Sequence, residues 1–108
     1  KRHLVPTGLF LDIPEGFEVQ VRPKSGLAIN KGLSVLNTPG TVDEGYTGEI
    51  KVILINLSNN THTIEVGDKI AQAVLSPVMS GRYVELQRVL NVDDKDRGDN
   101  GFGSTGTR

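Results

Sequence analysis

The sequence predicts an all-β domain, either a sandwich or a barrel, and two observations support that prediction. Apolar and polar residues alternate with a period of two along several runs, and no run keeps helical spacing for more than a turn or two. Turn signals rich in Pro, Gly, Asn and Asp separate these runs at short intervals. Short strands that recur between such turns are typical of sandwiches and barrels.

Alternating runs mark the predicted strands. In the run FEVQVR, Phe17, Val19 and Val21 share one face, and polar side chains share the other. The run EIKVILINL is almost continuously apolar and β-branched, which predicts a strand buried on both faces. The predicted strands are FEVQVR (17–22), EIKVILINL (49–57), THTIEV (61–66), KIAQAVLSPV (69–78, ended by Pro77) and YVELQRV (83–89).

Length, charge and cysteine content narrow the class of protein. With 108 residues the chain forms one domain, and a core of that size gains stability from oligomerisation. A formal net charge of -1 gives no overall attraction to nucleic acid or to a membrane surface. The absence of cysteine excludes a disulfide scaffold and thiol chemistry. No apolar run approaches about 18 residues and no export signal is recognisable, so a cytoplasmic location is expected.

The composition changes after Val92. Residues 93–108, DDKDRGDNGFGSTGTR, are polar, charged and rich in glycine, which predicts a flexible C-terminal arm beyond a β-core of residues 1–92. One interpretation is a solvated chain end. The other is a clamp for a nucleotide, because glycines let backbone N–H groups approach phosphates and arginine pairs with them. The residues suited to such a clamp are Arg97, Phe102, Ser104 and Thr105.

A second candidate for anion binding is the segment RPKSGLA, which follows the FEVQV run. Lys24, Ser25 and the N–H of Gly26 present a cation, a hydroxyl and a backbone donor at one strand end. The alternative interpretation is an ordinary exit from a strand, with cations on the surface. The segment alone does not decide between the two.

A third candidate is the segment NTPGTVDEGYTGEIKV (37–52). Its Pro-Gly and Glu-Gly pairs mark two close turns, which predict a hairpin with a bent tip. Asp43 lies between the turns and is a candidate general base, which must reach a water by a hydrogen bond. Capping of the turn is the simpler role for Asp43, and a half-buried strand position is the simpler role for Tyr46.

Four segments, taken in order, resemble four of the five motifs of the trimeric dUTP pyrophosphatases, or dUTPases. The segments are RPKSGLA (22–28), GTVDEGYTGEIKV (40–52), GDKIAQ (67–72) and RGDNGFGSTG (97–106). The resemblance runs from about Leu4 to Gly106. It implies a β-barrel of jelly-roll type and magnesium-assisted hydrolysis of dUTP to dUMP and pyrophosphate, which limits uracil in DNA and supplies dUMP for thymidylate synthesis. It also implies a homotrimer whose active sites are shared between subunits.

The resemblance assigns roles to individual residues. It implies that Asp43 is the general base for attack of water on the α-phosphorus, and that Gln72 contacts the phosphates or the attacking water. Tyr46 would pack under the deoxyribose and leave no room for a 2′-hydroxyl. Uracil would be recognised by Asn37, Thr41, Val42 and Asp43, the last three through the backbone. The remaining substrate-binding residues would be Lys24, Ser25, Gly26, Lys51, Arg97, Phe102, Gly103, Ser104 and Thr105, with Phe102 stacking on uracil.

Three departures from the family pattern are visible. The first motif, a segment containing an aspartate that would precede Lys1, is absent. Either the sequence has been trimmed or the metal site is weakened, and we expect trimming. Lys24 stands where arginine is usual, which keeps the charge but loses the planar fork. Gly45 stands where aspartate is common, and we expect a local effect on the stiffness of the hairpin.

The resemblance leaves two alternative functions open. The related dCTP deaminases share the barrel, but they need an acid–base residue beside C4 of cytosine. A non-catalytic regulator that binds dUTP is the other alternative, and the presence of Asp43 and Phe102 argues against it. No set of protein metal ligands is predicted, because Mg²⁺ often keeps its waters and takes oxygens from substrate phosphates.

Overall fold

Two three-stranded antiparallel sheets and one short helix form the fold. The computed structural model describes residues 1–79, 81, 84–93, 95 and 98. The order is β1 (Arg2–Phe10), β2 (Phe17–Arg22), α1 (Ser25–Lys31), β3 (Leu33–Val35), β4 (Gly40–Val42), β5 (Glu49–Asn56) and β6 (Gln72–Pro77). One sheet has the order β1-β5-β3 and the other β4-β2-β6. The predicted all-β class is confirmed.

The core lies between the two sheets and is centred on β5. Ile50, Val52 and Leu54 are buried and pack with Val35 from the same sheet and with Val21 from β2 of the other sheet. The opposite face of β5 is half-buried or exposed. The prediction that β5 is buried on both faces is therefore wrong, because only one of its faces meets the other sheet.

Strand β2 lies in the middle of its sheet and matches its predicted range. Val19 and Val21 are buried as the alternation predicts, while Phe17 is 37% exposed at the strand end. Across the ladder with β4, Val19 pairs with Val42 and Val21 pairs with Gly40. Strand β4 is an edge strand of this sheet, so its other side has no neighbouring strand in the described part of the chain.

Two predicted strands do not form. Residues 61–66 alternate in burial, with His62 and Ile64 half-buried, but they join no ladder. Residues 84–89 are exposed and likewise join no strand among the residues described. Alternation reports which side chains can be buried, whereas a strand also needs a neighbour for its backbone groups. The strand predicted over residues 69–78 forms as β6, which begins at Gln72 instead of residue 69 and ends at Pro77 as predicted.

The predicted hairpin also does not form. Strand β4 pairs with β2, whereas β5 pairs with β1 and β3, so the two strands that should form the hairpin belong to different sheets. Residues 43–48, which we name the inter-sheet loop, carry the chain across. The predicted turn at its start is present, because the Tyr46 N–H donates to the Asp43 carbonyl at 3.2 Å.

Helix α1 is two turns long and ends where glycine is needed. Gly32 has a φ of 68°, in the left-handed region, and its N–H donates to the Ala28 carbonyl at 3.1 Å.

In the described part of the chain, no helix has the length and apolarity that a membrane crossing requires. The predicted division after Val92 stays a prediction, because only Asp93, Lys95 and Gly98 are described within residues 93–108.

Candidate functional site

The inter-sheet loop holds Asp43 through the turn that it caps. Asp43 Oδ1 accepts a hydrogen bond from the Gly45 N–H at 2.9 Å, which is the capping role expected of an aspartate in a turn. The side chain is exposed, and Oδ2 accepts no hydrogen bond from any residue in the described ranges. One carboxylate oxygen thus fixes the loop while the other faces solvent. Capping and general-base chemistry are therefore compatible in the same residue.

Two hydrogen bonds connect Tyr46 to neighbouring residues, one from its backbone and one from its side chain. Its N–H donates to Asp43, and its Oη donates to the Glu49 carbonyl at 2.7 Å. The side chain is 45% exposed, so it is not the half-buried strand aromatic of the simpler interpretation. The Glu49 carboxylate accepts a hydrogen bond from the Gly8 N–H at 2.9 Å, which connects the first residue of β5, directly after the loop, to β1.

The start of β4 carries Asn37 beside Gly40. A methyl group on Gly40 would lie 3.2 Å from Asn37 Nδ2, so the amide is packed closely against the strand. The side chain of Thr41 is exposed and that of Val42 is half-buried. The Asn37 amide therefore lies over the face of β4 at Gly40, while the outer edge of β4 has no neighbouring strand in the described chain.

Residues 23–26, which we name the anion loop, comprise the connection from β2 to α1 and the first two residues of the helix. Lys24 is extended, with φ -99° and ψ 127°, and its carbonyl accepts the first helical hydrogen bond from Ala28 at 3.0 Å. Ser25 and Gly26 are exposed and Lys24 is half-buried. Lys24 forms no salt bridge in the part of the chain described.

Gln72 lies beside the anion loop although it is distant in the sequence. It pairs with Arg22 across the β2–β6 ladder, and its Nε2 donates to the Pro23 carbonyl at 3.0 Å. The structure thus brings together two of the four segments on which the family resemblance depends. Sequence reasoning missed the role of Pro23 as the acceptor, because the contact follows from strand register and not from a local pattern.

The structure does not bring Asp43 and Lys24 together within one chain. Strands β2 and β4 are antiparallel, and Val42 is level with Val19, so Asp43 leaves the ladder near the beginning of β2. Lys24 lies beyond the opposite end, five positions after Val19, which corresponds to roughly 17 Å of extended backbone. The two candidate binding loops are therefore at opposite ends of one sheet.

The remaining predicted site residues divide into two groups. Lys51 is exposed on the outer face of β5, where it pairs with Pro6 of β1. Arg97, Phe102, Gly103, Ser104 and Thr105 lie outside the described residues. The described residues contain no group of three His, Asp or Glu side chains that could hold a metal ion. The side chains of the anion loop are a cation and a hydroxyl, which suit phosphate oxygens and not a metal.

A family model described as dUTPase matches residues 1–106. The chain therefore belongs to the dUTPase family, as the motifs predict. It is 54% identical over 106 residues to the deoxyuridine 5'-triphosphate nucleotidohydrolase of Fusobacterium nucleatum. That match covers 98% of this chain and 70% of the relative.

Solved structures of dUTPases share the fold. A mutant dUTPase of phage 80alpha has a TM-score of 0.81 and 24% identity, over 97% of this chain and 76% of the phage chain. A mutant dUTPase of phage phi11 of S. aureus, studied for its structural Mg(II) ion, has a TM-score of 0.69 and 23% identity, over 84% and 73% of the two chains. At these identities the likeness concerns the fold, and it confirms the predicted jelly-roll type.

Proposed function

We propose that Asp43 is the general base with which this dUTPase hydrolyses dUTP to dUMP and pyrophosphate. The family match over residues 1–106 supports the reaction. The observation that supports the role of Asp43 is the division of labour within its carboxylate. Oδ1 is held by the Gly45 N–H, and Oδ2 faces solvent without a partner among the described residues. A base with one oxygen fixed and one free is oriented and still able to accept a proton.

The proposed step is an attack of water on the α-phosphorus. Asp43 accepts one proton from the water while the water oxygen forms a bond to phosphorus. The bond from the α-phosphorus to the oxygen that bridges it to the β-phosphorus breaks, and that oxygen leaves with pyrophosphate. A positioned base contributes about 10²–10⁴-fold to such a reaction, and orientation and charge stabilisation supply the rest.

Recognition of the nucleoside is assigned to the edge of β4 and to the inter-sheet loop. The unpaired edge offers main-chain groups that can bond to uracil, and Asn37 lies at its start. Tyr46 supports the deoxyribose with its exposed ring. We propose that the loop excludes a 5-methyl group and that the ring excludes a 2′-hydroxyl.

Recognition of the triphosphate is assigned to the anion loop, with Gln72 beside it. Lys24, Ser25 and the N–H of Gly26 supply a cation and two donors for phosphate oxygens. Mg²⁺, held by phosphate oxygens and water, would neutralise further charge and keep the triphosphate in one conformation. We further propose that Lys51 borders the nucleotide. Arg97, Phe102 and the Gly103, Ser104 and Thr105 run would close over it as an arm.

The separation of the two loops supports a shared site. Because Asp43 and Lys24 leave opposite ends of the β2–β4 ladder, one chain does not surround both the base and the phosphates of one nucleotide. A second chain must then supply the anion loop, and we propose a homotrimer with three shared sites. Sedimentation that shows a monomer at micromolar concentration would contradict this assembly. We also propose a cytoplasmic location, because nucleotide pools reside in the cytoplasm.

The test of the proposed function is release of pyrophosphate from four nucleotides in the presence of Mg²⁺. We expect rapid release from dUTP and little from the other three nucleotides. Relative to dUTP, dTTP has an added 5-methyl group, UTP has an added 2′-hydroxyl, and dCTP has a 4-amino group in place of the 4-oxo group. Ammonia released from dCTP would instead support a deaminase. Tight binding of dUTP without turnover would support a non-catalytic regulator.

A further inference from the structure

We infer that Gly48 is a positioning residue that sets the selection of deoxyribose over ribose, because it leaves the space in which the Tyr46 ring lies. This inference rests on the proposed function of Tyr46 and adds a residue to it. Gly48 follows Tyr46 by two positions and is half-buried directly before β5. It makes no contact with the nucleotide in this proposal and acts only through the ring.

The space beside Gly48 is filled by the ring of Tyr46. A methyl group on the Gly48 Cα would lie 2.7 Å from Oη, 2.8 Å from Cζ and 3.2 Å from Cε1 of Tyr46. The first two distances are shorter than non-bonded contacts allow, so the ring and an alanine at this position cannot keep their present places. The close approach includes a ring carbon, and rotation of the hydroxyl does not relieve it.

The backbone does not explain glycine at this position. Gly48 is absent from the glycines with positive φ, whereas Gly32, for example, has a φ of 68°. An alanine can therefore adopt the Gly48 backbone conformation without the strain it would meet at Gly32. What requires glycine at position 48 is the volume of the neighbouring side chain.

Displacement of the ring would move the surface that Tyr46 presents. In the present structure, Tyr46 Oη donates to the Glu49 carbonyl at 2.7 Å. A methyl group at Gly48 overlaps the ring carbon Cζ as well as the hydroxyl, so the ring has to leave its position whether or not that hydrogen bond is present. A displaced ring no longer presents its surface to the sugar at the same place, and discrimination against the 2′-hydroxyl falls.

The test is a double-mutant cycle on Tyr46 and Gly48, read as the ratio of kcat/KM for dUTP to that for UTP. We expect G48A to lower this ratio by about 10- to 100-fold, the effect of an ångström-scale displacement of a positioning group. In the Y46A background, which lacks the ring, G48A should have no further effect. The matched control is G81A, because a methyl group there meets no atom of the described chain within 4 Å. An unchanged ratio in G48A, or the same loss with and without the ring, would overturn the inference.

Two further measurements keep this inference separate from the proposed function. The ratio of the calorimetric affinities for the α,β-imido analogues of dUTP and UTP measures the same discrimination without turnover. If the wild type binds the dUTP analogue preferentially but releases no pyrophosphate, the proposed function fails while the binding ratio still decides the role of Gly48. Equal affinities in the wild type would overturn both the role of Tyr46 and that of Gly48.

Thermal unfolding covers the case in which G48A folds poorly. The inference predicts that G48A melts below the wild type, whereas Y46A/G48A melts no lower than Y46A, because removal of the ring removes the clash. Loss of folding in Y46A/G48A but not in Y46A would show that position 48 requires glycine for another reason.

Discussion

The inter-sheet loop and the anion loop are fixed in different ways. In the inter-sheet loop, Asp43 bonds to Gly45 and Tyr46 bonds to Glu49, over separations of two and three residues. In the anion loop, the Pro23 carbonyl is bonded by Gln72, which is 49 residues away in the sequence. One half of the proposed site therefore carries its shape in its own sequence, and the other half depends on the pairing of β2 with β6.

This difference predicts how substitutions act on each half. A change in the inter-sheet loop alters chemistry or nucleoside selection while the rest of the fold remains in place. A change at Gln72 alters a loop that it does not belong to, because the contact crosses between two strands. The two halves can be separated experimentally by substitutions that keep one set of contacts and remove the other.

The largest effect is expected for Asp43→Asn. The amide oxygen of asparagine can still accept the Gly45 N–H, so the turn keeps its cap, but the side chain can no longer accept a proton from water. We expect kcat for dUTP to fall by about 10²–10⁴-fold. The affinity for the α,β-imido analogue should be nearly unchanged, which calorimetry measures. Activity within tenfold of the wild type would show that Asp43 only caps the turn.

A smaller effect is expected for Gln72→Ala, which removes the contact between β6 and the anion loop. One hydrogen bond contributes about 0.5–1.5 kcal/mol, which corresponds to a rise in KM for dUTP of about 2- to 13-fold. The affinity for dUMP, which has a single phosphate, should change less. The control is Gln20→Ala, because among the described residues the Gln20 side chain bonds to Glu18 and Arg22 of its own strand and not to the anion loop. Equal KM values in the two variants would contradict the proposed coupling.

Lys24→Arg is expected to act in the opposite direction. Arginine can bond to phosphate with two parallel N–H groups, whereas lysine acts as a point charge. We expect KM for dUTP to fall about 2- to 5-fold with kcat unchanged, since one additional hydrogen bond contributes about 0.5–1 kcal/mol. Steady-state kinetics measure the change. A higher KM would indicate that Lys24 does not face the phosphates.

The smallest effect on activity is expected for Tyr46→Phe. This change removes the hydrogen bond from Oη to the Glu49 carbonyl and leaves the ring that supports the sugar. We expect the free energy of unfolding to fall by about 0.5–1 kcal/mol, since the bond is partly exposed. The ratio of kcat/KM for dUTP to that for UTP should stay within about twofold. A large loss of this ratio would show that the hydroxyl, and not the ring surface, provides selection.

The sequence predicted the parts of the fold that depend on local pattern. Alternation in residues 17–22 gave β2 with its buried Val19 and Val21, and the turn residues gave the Asp43 cap. The same alternation failed at residues 61–66, where His62 and Ile64 are half-buried, and at residues 84–89, which are exposed, because it contains no information about a neighbouring strand. The supposed hairpin failed for the same reason, since pairing partners are chosen over long separations.

The candidate site was predictable as a list of residues but not as an arrangement. The motifs identified Asp43, Lys24 and Gln72 from the sequence. The placement of Gln72 beside the anion loop, and of Asp43 at the other end of the ladder, follows from strand register. Gly48 was not identified as a site residue, because only the structure shows that the absence of a Cβ at this position leaves room for Tyr46. Glycine two residues after an aromatic and next to a strand was the only signal available.

The central claim is that water attacks the α-phosphorus of dUTP. Hydrolysis in water enriched in ¹⁸O, followed by mass spectrometry of both products, tests it most directly. We expect the dUMP phosphate to gain one ¹⁸O atom and pyrophosphate to gain none. Label in pyrophosphate, with none in dUMP, would place the attack on the β-phosphorus and rule out the proposed role of Asp43.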